Sequence, residues 1–167
     1  MRKTALITGG TRGIGLGIAK KLAQEGIDLA LNGVRPESDV EDVLEELRKT
    51  GVRVEYFPGN IAEKADRESI LEGVKAKFGS LNFLVNNAGV TGFESSPGPH
   101  DPENASLEDW HAVHSVNTDG TFLGCRYALK AMKAKGTGSI INMSSRSGVV
   151  GIPGAAAYAA SKAGIRN

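Results

Sequence analysis

The feature that most constrains this chain is a rhythm. Short runs rich in apolar and β-branched residues alternate with longer segments whose apolar residues recur at helical spacing. "KTALIT" (3–8) is apolar nearly throughout, as a strand buried on both faces would be. A helical pattern follows from about Gly13 to Glu25, with Ile14, Ile18, Leu22 and Ala23 on one side. "DLALNG" is a second strand, and "SDVEDVLEELRKTG" predicts a helix capped by Ser38 or Asp39 and stopped at Gly51. "VRVEYFPG" is a third strand, and 63–78 a helix closed by Gly79. "NFLVNNAG" predicts a fourth strand, 106–135 a long helix, "SIINMSS" a fifth strand, and a final helix opens near Ala155. Such alternation specifies an α/β fold, a doubly wound parallel sheet with helices on both faces. Its ligand crevice should lie at the carboxyl ends of the strands. The stretch "VTGFESSPGPHDPENAS" (90–106) is too long for an ordinary connection and is either a substrate-side loop or a mobile one.

The bulk properties narrow the function. With 167 residues the chain fits one domain, read as 1–167. Twenty basic and 19 acidic residues leave a net charge of +1, which argues against a nucleic-acid or membrane surface built from bulk charge. A single cysteine, Cys125, excludes an internal disulfide and a multi-cysteine metal site. His111 and His114 lie one turn apart without a supporting carboxylate or cysteine set, so no metal site is expected. The apolar run in "MRKTALITGG" is too short for a signal peptide, and a cytoplasmic location is the expectation.

Chemistry enters at "TGGTRGIG" (8–15), between the first strand and the first helix. Glycines at 9, 13 and 15 permit a tight turn, close approach of a diphosphate, and packing of helix on strand. The helix N-terminus offers free N–H groups to that anion. No Gly-Lys-Ser/Thr follows, so this is not a phosphate loop of the ATPase kind. Near the other end, "YAASK" sets Tyr158 and Lys162 one helical turn apart on one face. A phenol beside an ammonium is a proton donor with a neighbouring positive charge.

"TGGTRGIG", "NNAG" (86–89), "VN" (116–117), "INMSS" (141–145) and "YAASK" (158–162) together resemble, in order and spacing, the short-chain dehydrogenase/reductase family. The resemblance runs over essentially the whole chain and implies a Rossmann-like fold. It also implies a nicotinamide-dependent oxidoreductase acting on a carbonyl/secondary alcohol pair. The family's catalytic set maps onto Asn117, Ser145, Tyr158 and Lys162. In that set the tyrosine is the general acid/base, the serine bonds the substrate oxygen, and the asparagine holds a water that relays protons to the lysine. The alternative reading of Asn117 is a helix amide bonded to backbone. Ser144 competes with Ser145, but the thirteen-residue step to Tyr158 favours Ser145. The implied cofactor contacts are Gly9, Thr11, Arg12, Gly13, Ile14, Gly15, Arg35, Asn60, Ile61, Asn87, Ala88, Gly89, Tyr158 and Lys162. Asn87 is the expected brace of the central strand, and Asn60 stands where the family usually carries an aspartate against the adenine.

NADP(H) is the expected cofactor, with NAD(H) possible. Folds specific for NAD carry an acidic residue about twenty positions beyond the glycine run. Here Gly33 stands at that place, flanked by Asn32, which could bond a plain ribose; Arg12 inside the glycine loop or Arg35 just beyond the strand could clamp a 2′-phosphate. Two alternatives stand beside the reductase reading: a nucleotide-binding fragment without turnover, and a sugar-nucleotide epimerase or dehydratase. The latter's glycine spacing and lack of "NNAG" fit this chain less well. Leu107, Trp110, Val113, Phe122, Cys125, Leu129 and Met132 give the long helix surplus apolar surface, and the resemblance implies a homodimer or homotetramer. It further implies strands beyond Asn167, so the sheet is expected to lack its C-terminal strands and the domain to be C-terminally incomplete.

Overall fold

The computed structural model describes residues 2–92 and 103–167. Most of the 90–106 stretch, including His100, lies outside the described residues. The described elements are β1 (Thr4–Thr8), α1 (Gly13–Gln24), β2 (Asp28–Gly33), α2 (Glu41–Arg48), β3 (Val54–Pro58), α3 (Lys64–Phe78) and β4 (Phe83–Asn86). They continue with α4 (Leu107–His114), α5 (Gly120–Lys133), β5 (Ser139–Asn142) and α6 (Ala156–Arg166). All pairings are parallel, in the order β3-β2-β1-β4-β5.

The continuous apolar strands are explained by two cores. Alternate strand residues point to opposite faces. Ala5, Ile7, Leu29, Leu31 and Val85 pack with Ala19 and Ala23 of α1 and Leu44 and Leu47 of α2. Their neighbours Leu6, Ala30 and Leu84 pack on the other face with Ile70 and Val74 of α3 and Ala128 and Met132 of α5. Both faces are therefore covered, as parallel crossovers require. β5 is the outer strand at its end of the sheet, with Ile140 joining the second core and Ile141 47% exposed. No described helix is long and apolar enough to cross a membrane.

Two helix boundaries differ from expectation. The residues before α2 form a 3-10 turn over Glu37–Asp39, whose following N–H groups bond Pro36 and Glu37 carbonyls. The helix then starts at Glu41 behind Val40, and neither Ser38 nor Asp39 supplies a cap, because that turn already engages the backbone there. The expected 106–135 helix is helical from Leu107 to Lys133 but contains a π-helical segment, Ser115–Asp119, around the buried Asn117. Gly79, with φ +67°, closes α3 as expected.

The turn after β1 is the tightest junction in the sheet. A Cβ on Gly15 would stand 2.1 Å from the Gly9 carbonyl oxygen and 2.6 Å from Asn87 Nδ2. Neither neighbour can move without shifting β1 or β4. Gly15→Ala should therefore destabilise the fold by about 1–3 kcal/mol. Thermal unfolding followed by circular dichroism should show a midpoint lowered by several degrees, whereas Gly17→Ala, whose Cβ meets open space, should not lower it.

Candidate active site

Beyond β3 the chain crosses back to place β4 on the far side of β1, so the connections leaving β1 and β4 diverge. A crevice of about 460 Å³ opens there. Its lining includes Gly9, Thr11, Arg12, Gly13, Ile14, Arg35, Asn60, Ile61, Asn87, Ala88 and Gly89, each of them an expected cofactor contact. Gly15 does not line it; it closes α1 onto β1 and β4 from beneath. Gly13, with φ +52°, leaves open space where a side chain would stand, and the first turn of α1 faces the crevice. These glycines and free N–H groups fit a diphosphate.

Thr8 and Asn87 build the wall between the two strands. Thr8 Oγ1 accepts hydrogen bonds from the backbone N–H groups of Asn87 and Ala88, each 3.0 Å. Asn87 Nδ2 donates back to the carbonyls of Thr8 at 2.9 Å and Gly9 at 3.2 Å. Asn87 thus braces β1 as expected. Asn32 is different: it is 1% exposed, and its amide donates to the Phe57 and Gly59 carbonyls at 3.0 and 2.9 Å. Those bonds tie β2 to the end of β3 and leave Oδ1 as the atom through which Asn32, which also lines the crevice, could bond a ribose hydroxyl. Asn60 lines the crevice, but its Oδ1 accepts from the Ala62 N–H at 3.0 Å, so it turns its local loop as well as facing the site.

At the Gly89 end of the crevice Asn117 and Lys162 come together, with Tyr158 beside the lysine, while none of the four catalytic candidates lines the crevice itself. Asn117 is fully buried, and its carboxamide makes three hydrogen bonds within the protein. Oδ1 accepts from the Val90 N–H, while Nδ2 donates to the Val90 carbonyl and to Ser161 Oγ, all at 2.9 Å. The backbone-bonded reading of this residue therefore describes its side chain. Ser161, which the sequence reading passed over, is fully buried and donates to the Tyr158 carbonyl at 2.7 Å. Its signal was present: it lies three residues after Tyr158, on the inward face of the same helix.

Lys162 is 5% exposed and donates from Nζ to the Met143 carbonyl at 2.7 Å. Its Nζ lies 5.8 Å from the Tyr158 ring centroid, and a Cβ on Gly89 would come within 3.4 Å of it and 3.1 Å of Asn117 Oδ1. Gly89 is thus the point where the crevice meets the lysine and the asparagine. Ser144 Oγ donates to the Lys162 carbonyl at 2.7 Å and so anchors α6 to the end of β5. Ser145 Oγ instead caps the 3-10 turn Arg146–Gly148, accepting from the Ser147 N–H at 3.2 Å. His114 packs on Trp110 with ring centroids 4.1 Å apart and bonds its carbonyl, a packing role.

The family model described as short chain dehydrogenase matches residues 3–167, and the chain belongs to that family. It is 38% identical over 169 residues to the 3-oxoacyl-[acyl-carrier-protein] reductase FabG of Staphylococcus aureus, covering 99% of this chain and 65% of the relative. It is 37% identical over 166 residues to the D-beta-hydroxybutyrate dehydrogenase of Rhizobium meliloti, covering 99% of this chain and 62% of the relative. Among solved structures, a 3-oxoacyl-[acyl-carrier protein] reductase from Brucella melitensis in complex with NAD superposes with a TM-score of 0.89 at 36% identity. That match covers 99% of this chain and 64% of the other. The chain therefore spans just under two thirds of the length of these relatives.

Burial lowers the Lys162 pKa from its ordinary value, because desolvation disfavours the ammonium. The cost of burying the charge is complete below the folded pKa, where the ammonium persists in both states. It is relieved as pH rises through the folded pKa toward the unfolded value near ~10.4. Relative to Lys162→Met, the parent should gain stability across that alkaline interval. Unfolding free energies of the two proteins at a series of pH values check this; parallel curves would contradict the burial argument.

Proposed function

We propose that this chain forms the cofactor-binding and proton-transferring part of an oxidoreductase that moves a hydride between NADP(H) and a carbonyl/secondary alcohol substrate. The observation that carries the reading is the meeting of Lys162 and Asn117 at Gly89, where the dinucleotide crevice ends, with Tyr158 one turn before the lysine. Gly9, Gly13 and the first turn of α1 would hold the diphosphate, and Asn87 would keep β1 and β4 apart at the correct spacing. A bound nicotinamide supplies or accepts the hydride at the substrate carbon. Tyr158 donates its hydroxyl proton to the substrate oxygen in the reductive direction and takes it back in the oxidative one. Ser145 bonds that oxygen once it leaves its turn-capping contact, and Lys162 holds positive charge beside the phenol. The relatives' names suggest 3-oxoacyl thioesters and β-hydroxy acids as first substrates to assay.

The preference for NADP(H) is supported by the absence of a carboxylate at Gly33 and by Arg35, whose Nη2 lies at the crevice rim and donates to Thr11 at 3.2 Å. Binding without turnover is the competing reading.

Two measurements separate these readings. Tyr158→Phe should leave NADPH binding by fluorescence titration within about twofold and cut turnover at least about tenfold, a barrier rise of ~1.4 kcal/mol or more. NADPH binding without carbonyl-dependent NADPH oxidation in the parent supports the binding-only reading. A kcat/KM higher with NADH than with NADPH contradicts the cofactor assignment. We further propose a homo-oligomer, because Leu107, Trp110, Phe122 and Leu129 leave apolar surface exposed on α4 and α5. Light scattering at tens of micromolar should return at least twice the 17.5 kDa chain mass.

A further inference from the structure

Tyr56 lies outside the crevice lining, yet it touches both features that separate the two nicotinamide cofactors. It is 7% exposed, packed in the first core among Leu29, Leu31 and Leu44, and paired in the sheet with Leu31. Its hydroxyl donates to the Arg35 carbonyl at 2.8 Å. Burial pushes the phenol above its ordinary pKa, so it remains a donor. A Cβ on Gly33 would stand 2.9 Å from that same hydroxyl oxygen. The next nearest atoms, Thr11 Oγ1 at 3.4 Å and Tyr56 Cε2 at 3.6 Å, would be in ordinary contact. The hydroxyl alone therefore creates the conflict, and the ring cannot swing away without opening the core.

We infer that Tyr56 is a positioning residue for cofactor specificity: its hydroxyl keeps position 33 free of any side chain and pins the Arg35 backbone at the crevice rim. This inference rests on the NADP(H) reading above. At position 33 a carboxylate would need to stand to bond a ribose 2′-hydroxyl. With that position held to glycine, the rim presents no acid at the end of β2. The pinned Arg35 spans to Thr11, both of whose bonds come from Nη2. Its Nε and Nη1 donors are left to receive a 2′-phosphate. The side-chain N–H donors of Asn32 are committed to Phe57 and Gly59, so that residue offers a ligand no donor. The discrimination is thus set from within the core, by a residue that need not touch the cofactor.

The test is a cycle of Gly33→Ala, Tyr56→Phe and the double variant in the full chain. Without ligand, Gly33→Ala should lower the unfolding midpoint by several degrees alone and by less than about a third as much in the Tyr56→Phe background. Additive midpoints would overturn the steric contact. Titration with 2′,5′-ADP and 5′-AMP reads specificity without any turnover. The parent should favour 2′,5′-ADP, and Tyr56→Phe should shrink that preference at least about fivefold, with 5′-AMP binding kept within about twofold. An unchanged preference would overturn the positioning role. A parent that binds both nucleotides alike would overturn the NADP(H) reading and the specificity role together, while the midpoints still report on the Gly33 contact.

Discussion

The close approach of β1, α1 and β4 at the glycine turn is the constraint on which the rest of this structure depends. Backbone meets backbone where Gly15 lies under the Gly9 carbonyl, and a side chain there would force the helix off the sheet. The same approach brings Asn87 within reach of the Thr8 and Gly9 carbonyls, so one amide closes the wall between two strands. Once that junction is made, the first turn of α1 faces the crevice and the strand ends on either side diverge. Packing density and ligand geometry are here one requirement, met by the lack of a side chain.

The far end of the crevice is assembled from polar groups in dry surroundings. A buried amide must find partners, and Asn117 finds three, joining the loop after β4 to α6 through Val90 and Ser161. The π-helical segment places that amide inward, and such segments recur at functional sites. Lys162 is the less comfortable neighbour. Its ammonium is desolvated, and the Met143 carbonyl is the hydrogen-bond acceptor that holds it. Groups held at such cost are characteristic of sites where a particular charge must stand beside a reacting group.

Much of the architecture was legible because run length and helical period suffice to read it. Short continuous apolar runs marked β1, β2 and β4 as strands buried on both faces, and helical spacing marked α1 and α3, with Gly79 as a visible stop. The misread boundaries lie where backbone bonding, not side-chain pattern, decides. The turn at Glu37–Asp39 satisfied the N–H groups that Ser38 was expected to cap. The π-helical segment at Ser115–Asp119 adds a residue to one turn, which no apolar period announces.

The site divides in the same way. The sequence by itself determined the fold class, the glycine turn, and the presence of Tyr158 and Lys162 on one helical face, because each depends on neighbours within a few residues. Tertiary structure alone decided that Asn32 is committed to β3 and that Asn117 spends its carboxamide on Val90 and Ser161. It also decided that the hydroxyl of Tyr56 guards Gly33 from the adjacent strand. Partners separated by twenty to forty-four residues leave no local pattern, and a polar side chain's commitment follows from which donors and acceptors folding brings within about 3 Å.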